Sequence, residues 1–217
     1  RARLAAESGA RGGMTEHQPG LMRAIGVISG TSMDAIDVAL IESDGAARVA
    51  FGPGGGYAYP KGTRDRLIAF IAAPERALAD PLAELEEEVT AAHLAAIRTF
   101  IADTAIDPRT VDLIGLHGQT VYHRPDLKFT RQLGFGAEIA KATGIVTVNQ
   151  FRHADVAAGG QGAPLVPLYH RALASGLPQP LMVLNLGGVG NVTYVDGATV
   201  IAFDTGPASA MLDDFML

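Results

Sequence analysis

Glycine-rich turns that follow short apolar runs constrain the fold of this chain more than any other feature. The 217 residues include 26 glycines, well above the usual share in globular proteins. Most of them gather in five places: Gly52–Gly56, Gly115–Gly118, Gly134–Gly144, Gly159–Gly162 and Gly187–Gly190. Glycine permits positive φ and close approach of the backbone to a ligand. The pattern therefore predicts buried strands that end in turns suited to ligand binding.

Composition excludes several classes of protein. Hydrophobic residues make up 48% and charged residues 18% of the chain, which predicts a packed core. The net charge of −6 disfavours a general nucleic-acid or anionic-membrane surface. Cysteine is absent, which excludes disulfides and thiolate zinc sites and favours a cytoplasmic location. No apolar run approaches the ~20 residues that cross a bilayer.

The two ends of the chain differ from the middle. Residues 1–22 are rich in arginine, glycine and polar residues, and we expect a disordered extension there. We expect residues 23–178 to form a first lobe and residues 179–217 to begin a second. The chain stops inside the apolar-periodic stretch Met211–Leu217, so we expect the second lobe to be incomplete.

Apolar patterning predicts an α/β fold in which strands precede and follow a long helix along the sequence. Asp80 is the predicted N-cap of that helix. The predicted strands are Ala24–Ser29, Ala35–Ile41, Val49–Tyr59, Val111–Leu116, Ile145–Val148, Leu181–Leu186 and Asn191–Val195, and the predicted helices are Pro81–Asp103, Phe135–Thr143 and Leu165–Ala174. Strand, glycine turn and strand occur at both Ala24–Leu40 and Leu181–Val195, which indicates two related halves.

Two of the turns have the composition of a phosphate site. Gly30–Asp34 presents backbone N–H and hydroxyl donors, and Asp34 and Asp37 could hold water bound to Mg²⁺. Gly187–Asn191 is the matching turn of the second half. Ordinary hairpin turns explain either segment alone. Two such hairpins facing each other would clamp a triphosphate, whereas the P-loop and dinucleotide motifs are absent.

Asp155 is the candidate general base. It precedes Gly159-Gly160-Gln161-Gly162, whose backbone leaves room for a substrate. Arg152 could bind a phosphate or a carboxylate. The alternative is an Arg152–Asp155 ion pair that only fixes the loop.

His117-Gly118-Gln119-Thr120 follows a predicted strand, where open α/β sheets bind ligands. Gln119 and Thr120 can hydrogen-bond sugar hydroxyls, whereas His117 fits a structural role equally well. The other histidines lack the spacing of a metal site, and no Gly-x-Ser-x-Gly nucleophile motif is present.

Taken together and in order, these motifs resemble the anhydro-N-acetylmuramic acid kinase family, part of the superfamily of sugar kinases, chaperone ATPases and actin. The resemblance runs from about Arg23 to the end of the chain. The segments that carry it are Gly26–Asp34, His117–Thr120, Phe151–Leu165, Asn185–Asn191 and Phe203–Pro207. Three positions depart from the family pattern: Ala35 stands where glycine is common, and Ala208-Ser209 stands where Gly-Asn is usual.

The resemblance implies two actin-like lobes of the ribonuclease H-like type, each a mixed sheet flanked by helices, with ATP and Mg²⁺ between them. It also implies a reaction. Water opens the 1,6-anhydro ring of anhydro-N-acetylmuramic acid while O6 takes the γ-phosphoryl group of ATP. The products are N-acetylmuramic acid 6-phosphate and ADP, and the pathway is cell-wall recycling. A homodimer is also implied.

The resemblance assigns roles to residues by position in the motifs. It implies that Asp155 is the catalytic base. The implied nucleotide-binding residues are Gly30, Thr31, Ser32, Met33, Asp34, Ala35, Ile36, Asp37, Gly187, Gly188 and Asn191, and the expected sugar contacts are His117, Gln119, Thr120 and Arg152.

Three rival hypotheses stay open at this stage. The chain could belong to a kinase of the same superfamily that acts on another sugar. It could instead belong to a non-catalytic actin-like or chaperone-like ATP-binding module, or to a sugar-binding protein without ATP chemistry. We also expect the 217-residue chain alone to be inactive and unstable over its last ~40 residues, because an unfinished sheet leaves an open edge.

Overall fold

The computed structural model describes residues 20–30, 32–209 and Phe215. Two β-sheets form within these residues. The first has the order β3-β2-β1-β4-β5, with β6 also paired to β4, and the second has the order β7-β8-β9. The strands are β1 (Met22–Ser29), β2 (Ile36–Ser43), β3 (Val49–Tyr57), β4 (Leu113–Arg124), β5 (Phe129–Leu133), β6 (Val146–Asn149), β7 (Leu181–Leu186), β8 (Val189–Asp196) and β9 (Thr199–Pro207).

Helices flank the first sheet, as the sequence predicted for a mixed α/β fold. They are α1 (Lys61–Ile71), α2 (Ala83–Asp103), α3 (Gly136–Thr143), α4 (His153–Ala157) and α5 (Pro167–Leu173). Short 3₁₀ turns lie at Pro74–Leu78, Pro108–Thr110, Pro125–Leu127 and Ala174–Gly176. None of the helices in the described ranges is long and apolar enough to cross a membrane.

The first meander, β1–β2–β3, follows the alternation of its sequence. β1 and β2 pair antiparallel from Met22–Ser43 to Ser29–Ile36, and β1 also pairs parallel with β4. Ile25, Val27, Ile36 and Val38 are each at most 2% exposed. Because alternate residues of a strand face opposite sides of the sheet, this pattern places one apolar face of the meander in the core.

Helix α2 supplies the opposite wall of that core. Val89, Ile97 and Phe100 are fully buried at helical spacings that place them on one face. The predicted N-cap at Asp80 is wrong: Leu82 takes that position with φ 55°. Asp80 instead accepts a hydrogen bond at 2.8 Å from the Leu82 N–H, so Pro81 lies in the turn before the helix.

The second meander, β7–β8–β9, has one covered and one open face. The inner face carries Val195 and Thr193, both almost fully buried, and α5 packs on β8 and β9. His170 of α5 joins the sheet through a 2.8 Å hydrogen bond between its Nδ1 and the Thr193 Oγ1. Apolar residues on the outer face are exposed, among them Leu184 at 58% and Phe203 at 54%.

Four elements lie outside the sequence prediction: α1, α4, β5 and β9. One predicted strand also extends further than expected. Val111–Leu116 was expected to end at His117, but β4 runs from Leu113 to Arg124. β4 continues because its second half pairs antiparallel with β5 from Gln119–Leu133 to Arg124–Phe129. His117-Gly118-Gln119-Thr120 therefore lies inside a strand.

The division predicted at residues 178–179 falls in the connection between the turn Ala174–Gly176 and β7. Residues 181–207 form a separate sheet from that of residues 22–149. The expectation of a disordered extension over residues 1–22 concerns mostly residues outside the described part. Of that segment the structure describes only residues 20–22, and Met22 is already the first residue of β1.

Candidate functional site

The first glycine turn joins β1 to β2 at one end of the first sheet. The Met33 N–H donates to the Gly30 carbonyl at 3.1 Å, and Met33 adopts φ 54°. Met33 and Ile36 are buried, whereas Gly30, Ser32, Asp34 and Asp37 are exposed. Burial of Met33 anchors the strained turn to the core, and the exposed residues leave the opposite side open to a ligand. The predicted contact Thr31 lies outside the described residues.

Gln119 of β4 holds this turn from behind. Its side chain is fully buried, and its Nε2 donates to the Gly30 carbonyl at 3.2 Å. Its Oε1 accepts from the Ser29 Oγ at 2.6 Å and from the Tyr59 hydroxyl at 3.4 Å. A second support comes from α1, where the Arg64 Nε donates to the Met33 carbonyl at 3.1 Å. Two carbonyl groups of the turn are thereby directed into the protein.

The second glycine turn joins β7 to β8 and is held in a corresponding way. The N–H groups of Ala208 and Ser209 donate to the carbonyls of Gly188 and Gly187 at 3.1 and 2.9 Å. The Thr205 hydroxyl donates to the Gly190 carbonyl at 3.0 Å. Ala208 and Ser209, which depart from the family pattern, therefore support the turn through their backbone.

Space beside Gly190 explains why alanine fits at position 208. A Cβ built on Gly190 would lie 3.4 Å from the Ala208 Cβ and 2.9 Å from the Thr205 Oγ1. Because Gly190 has no side chain, the Ala208 methyl occupies that space without a clash.

A polar row crosses the inner face of the second sheet next to this turn. The strand register aligns Asn185 with Asn191 and Asn191 with Asp204. Asp204 acts electrostatically on two residues of the first lobe, Arg152 and His123. Its negative charge raises the pKa of both, whereas their burial lowers it. The sequence prediction included Asn191 but gave no role to Asp204; an acidic residue directly before Thr-Gly at the end of a strand was the available signal.

Asp155 lies in the short helix α4, and the glycine loop after it shapes its surroundings. The loop returns so that the Gly162 N–H donates to the Asp155 Oδ2 at 2.7 Å. A Cβ on Gly160 would come within 2.2 Å of the same oxygen, closer than any real contact. Asp155 itself is exposed. The loop thus fixes the carboxylate by one hydrogen bond while leaving it open to water.

Arg152 is fixed by Gly162, the residue that also holds Asp155. Its Nη1 donates to the Gly162 carbonyl at 2.7 Å, and its Nε and Nη2 donate to the His117 Nε2 at 3.1 and 2.9 Å. The direct ion pair between Arg152 and Asp155, which the sequence left open as an alternative, is not among the ion pairs of the described residues. Gly162 links the two side chains instead, with its carbonyl bonded to Arg152 and its N–H to Asp155. Guanidinium has five N–H groups, so two remain for a ligand.

The predicted sugar contacts occupy three different settings. Both ring nitrogens of His117 have protein partners, because Nδ1 also bonds to the Gly118 carbonyl at 3.1 Å. Gln119 is fully buried. Thr120 is half-buried, and its hydroxyl accepts from the Gln132 Nε2 at 3.3 Å. Of the four predicted residues, Arg152 keeps the most free donors, and the contacts themselves stay predictions.

Carboxylates at the first turn fit the chemistry of Mg²⁺, which binds one or two carboxylates together with water and phosphate oxygens. Asp34 is exposed, with its Oδ1 3.6 Å from the Arg64 Nη2. Desolvation raises the pKa of Asp37, whose carboxylate lies against Gly56 of β3. A nearby divalent cation would favour the charged form of Asp37.

Known proteins resemble this chain over most of its length. The family model for anhydro-N-acetylmuramic acid kinase matches residues 22–217. A protein of that name from Rhodopseudomonas palustris is 52% identical over 204 residues, which cover 90% of this chain and 56% of the relative. The one from Paramagnetospirillum magneticum is 49% identical over 197 residues, with 90% and 54% coverage.

The chain spans a little over half the length of these curated relatives. Among solved structures, YeaZ from Pseudomonas aeruginosa aligns with 87% of this chain at 10% identity and a TM-score of 0.30. That score lies below the level that indicates a common fold, so the assignment rests on the sequence relatives. The name that these relatives share is that of a kinase, a class of phosphotransferase. The chain belongs to the anhydro-N-acetylmuramic acid kinase family.

Proposed function

We propose that this chain carries the phosphate turns and the catalytic base of a kinase that acts on anhydro-N-acetylmuramic acid. In the proposed reaction, water adds to the anomeric carbon and the bond from that carbon to the bridging oxygen breaks. The freed O6 attacks the γ-phosphorus of ATP and ADP leaves. The products are N-acetylmuramic acid 6-phosphate and ADP, and the reaction belongs to cytoplasmic recycling of cell-wall sugar.

The arrangement of Asp155 is the observation that carries this proposal. Its carboxylate is exposed and held at one oxygen by the Gly162 N–H, so it is oriented and accessible to water. A general base must lie within hydrogen-bond reach of the proton it removes, and an accessible carboxylate meets that need for water. The departing O6 is a nucleophile as it forms, so phosphoryl transfer requires mainly positioning and charge stabilisation.

Binding of the two substrates is divided among the remaining site residues. We assign the triphosphate to the turns at Gly30–Asp37 and Gly187–Asn191, whose carbonyls are held away by protein partners. Mg²⁺ bound near Asp34 and Asp37 would neutralise phosphate charge. We assign sugar contacts to Arg152, through its two free N–H groups, and to Thr120, with His117 and Gln119 supporting them from behind.

Mass spectrometry of the sugar product tests the reaction. The chain is completed with the part of the Rhodopseudomonas palustris relative that it does not span. It is then incubated with anhydro-N-acetylmuramic acid, ATP and Mg²⁺ in oxygen-18 water. We expect a phosphorylated muramic acid that carries one heavy oxygen at C1. Unchanged sugar with ATP bound would instead favour an ATP-binding module, and phosphorylation of another sugar would favour a superfamily kinase of different specificity.

Asp155→Asn tests the base in the same completed protein. Loss of general base catalysis typically costs about 10²–10⁴-fold in rate, and we expect sugar turnover to fall in that range while ATP affinity changes less than about twofold. Asp65→Asn is the matched control, since Asp65 pairs with Lys61 on the exposed side of α1. Equal activity of Asp155→Asn and the unmodified protein would refute the role of Asp155.

A further inference from the structure

His117 occupies an irregular position of β4. In the parallel pairing of β1 with β4, Val27 lies opposite Leu116 and Ile28 opposite Gly118. His117 is therefore the extra residue of a β-bulge, without a partner in β1. Bulges redirect a side chain relative to the regular alternation of a strand. Here the bulge directs the imidazole towards Arg152 at the start of α4.

The hydrogen bonds around His117 define its protonation state. The Gly118 carbonyl can only accept, so the Nδ1 that lies 3.1 Å away carries the proton. The Arg152 Nε and Nη2 can only donate, so the Nε2 that they contact carries a lone pair. A neutral imidazole protonated at Nδ1 satisfies both requirements. A doubly protonated ring would direct an N–H at a guanidinium and place two positive charges in contact.

Arg152 transmits the position of His117 to Asp155 through one residue, Gly162, whose carbonyl and N–H belong to the two peptide groups that flank its Cα. Arg152 donates to the Gly162 carbonyl at 2.7 Å, and the Gly162 N–H donates to Asp155 at 2.7 Å. Gly162 adopts φ 63°, and a Cβ there would lie 2.6 Å from the Val156 Cγ2. The segment is therefore packed tightly and has little freedom to move independently of Arg152.

We propose that His117 is a positioning residue for the base: as a neutral imidazole it fixes Arg152, and Arg152 fixes Gly162, whose N–H orients Asp155. The catalytic part of this inference rests on the proposed function. It assigns His117 to the protein framework of the site, and protonation of His117 disconnects the chain of contacts that ends at Asp155.

The charges near His117 agree with this role. Burial lowers the pKa of His117, and the positive charge of Arg152 lowers it further, so the ring is neutral at pH 7. His93 of α2 lies on the other side of His117 and is itself buried and neutral. Beyond Arg152, the facing groups are His123 of β4 and Asp204 of β9. As the pH falls, protonation of His117 adds a positive charge against Arg152.

Nuclear magnetic resonance of the isotope-labelled 217-residue chain tests the linkage without any substrate. At pH 7 we expect long-range ¹H–¹⁵N correlations to show His117 protonated at Nδ1 and not at Nε2. As the pH is lowered, we expect the Gly162 amide resonance to shift with the midpoint of His117. His117→Gln supplies a carbonyl oxygen that still accepts from Arg152 and does not titrate, so this step disappears.

His170→Gln is the control, because His170 contacts Thr193 of the second sheet and we expect it to leave the Gly162 step unchanged. Protonation of His117 at Nε2 at pH 7 overturns the proposal. The same result follows if the Gly162 step is absent from the unmodified chain or persists in His117→Gln. A Gly162 amide that follows His117 in the unmodified chain and not in His117→Gln supports it.

Kinetics of the completed enzyme test the consequence for catalysis. Small misplacement of a catalytic group costs about 10²-fold, so we expect His117→Leu to lower kcat about 10- to 100-fold with the KM for ATP unchanged within about twofold. We expect His117→Gln to restore most of kcat. Equal loss in both variants overturns the positioning role. Absence of sugar turnover in the unmodified enzyme, with the magnetic resonance linkage intact, overturns the proposed function and leaves the linkage supported.

Discussion

The two meanders have the same order of strands but very different surroundings. β1–β2–β3 pairs with β4 and is covered by helices, so Ile25 at the centre of β1 is fully buried. Within the described residues, β7–β8–β9 forms a separate three-stranded sheet, and Leu184 at the centre of β7 is 58% exposed. Each meander nevertheless carries a glycine turn whose carbonyls are bonded from behind. Both turns are therefore supported by contacts from outside the turn, whereas the burial of the two sheets differs.

Truncating a central residue of the first strand in each meander gives the largest expected difference in the free energy of unfolding. Ile25→Ala removes buried methyl groups and leaves a cavity, which we expect to lower the free energy of unfolding by about 4 kcal/mol. Leu184→Ala removes a side chain that is mostly in water, and we expect less than about 0.5 kcal/mol. Urea unfolding of this chain measures both. Equal losses would show that the second meander is as well covered as the first.

Acid tests the core beneath the first meander, where His93 of α2 is fully buried. Burial lowers the pKa of His93 to about 4, whereas an unfolded histidine titrates near ~6.5. The unfolded state takes up the proton first, so His93 contributes stability above pH 6.5 that is lost as the pH falls towards 4. We expect a loss of about 3 kcal/mol from this group.

His93→Leu removes the titrating group and is expected to flatten the stability of the chain between pH 6.5 and 4. His170→Leu in α5 provides the comparison for the second meander. Burial also lowers the pKa of His170, but that side chain is only half-buried, so a smaller change is expected. Unfolding midpoints at several pH values measure the difference, and an unchanged acid slope in His93→Leu would contradict it.

Removing a polar side chain that supports each turn is expected to give a smaller difference in the free energy of unfolding. Gln119→Leu removes an amide that bonds Ser29, Tyr59 and Gly30, and we expect a loss of about 2 kcal/mol because buried partners are left unsatisfied. Thr205→Val removes one partly buried bond to Gly190, with an expected loss of about 1 kcal/mol or less. The difference in urea midpoint checks the ranking, and a larger loss in Thr205→Val would reverse it.

The smallest effect is expected at the departure from the family pattern. Ala208→Gly leaves the N–H that donates to Gly188 and removes only a methyl group beside Gly190. We expect the free energy of unfolding to change by less than about 0.5 kcal/mol. A thermal melt of the variant beside the unmodified chain measures this. A large loss would show that the methyl group itself supports the turn.

Much of the sequence prediction came from patterns among residues that lie close together in the sequence. Asp155 and its glycine loop were recognised because their contacts are local: the Gly162–Asp155 bond spans seven residues. The helix at Phe135–Thr143 and the strand Leu181–Leu186 were predicted correctly for the same reason. The polar first turns of α1 concealed that helix, since only Thr63, Leu67 and Phe70 are buried there.

Long-range contacts account for what the sequence could not supply. When only its sequence neighbours are considered, Gln119 is predicted to contact the sugar. The hydrogen-bond partner of its side chain, Ser29, lies 90 residues away in the sequence. Arg64 supports the first turn from a helix 31 residues further along the chain. The bulge at His117 depends on pairing with β1, which no local pattern reveals.

The bond between Ser29 and Gln119 also bears on how the chain folds. β1, β2 and β3 pair with sequence neighbours and require only short loops to close, whereas 90 residues separate Ser29 of β1 from Gln119 of β4. Contacts so distant in sequence form late, because closing a long loop costs entropy before it gains any stabilising contact. The first turn therefore acquires its final shape only when β4 docks. A chain arrested before that step would hold the meander without a finished first turn, and the nucleotide affinity that we propose for this turn would report completion of folding.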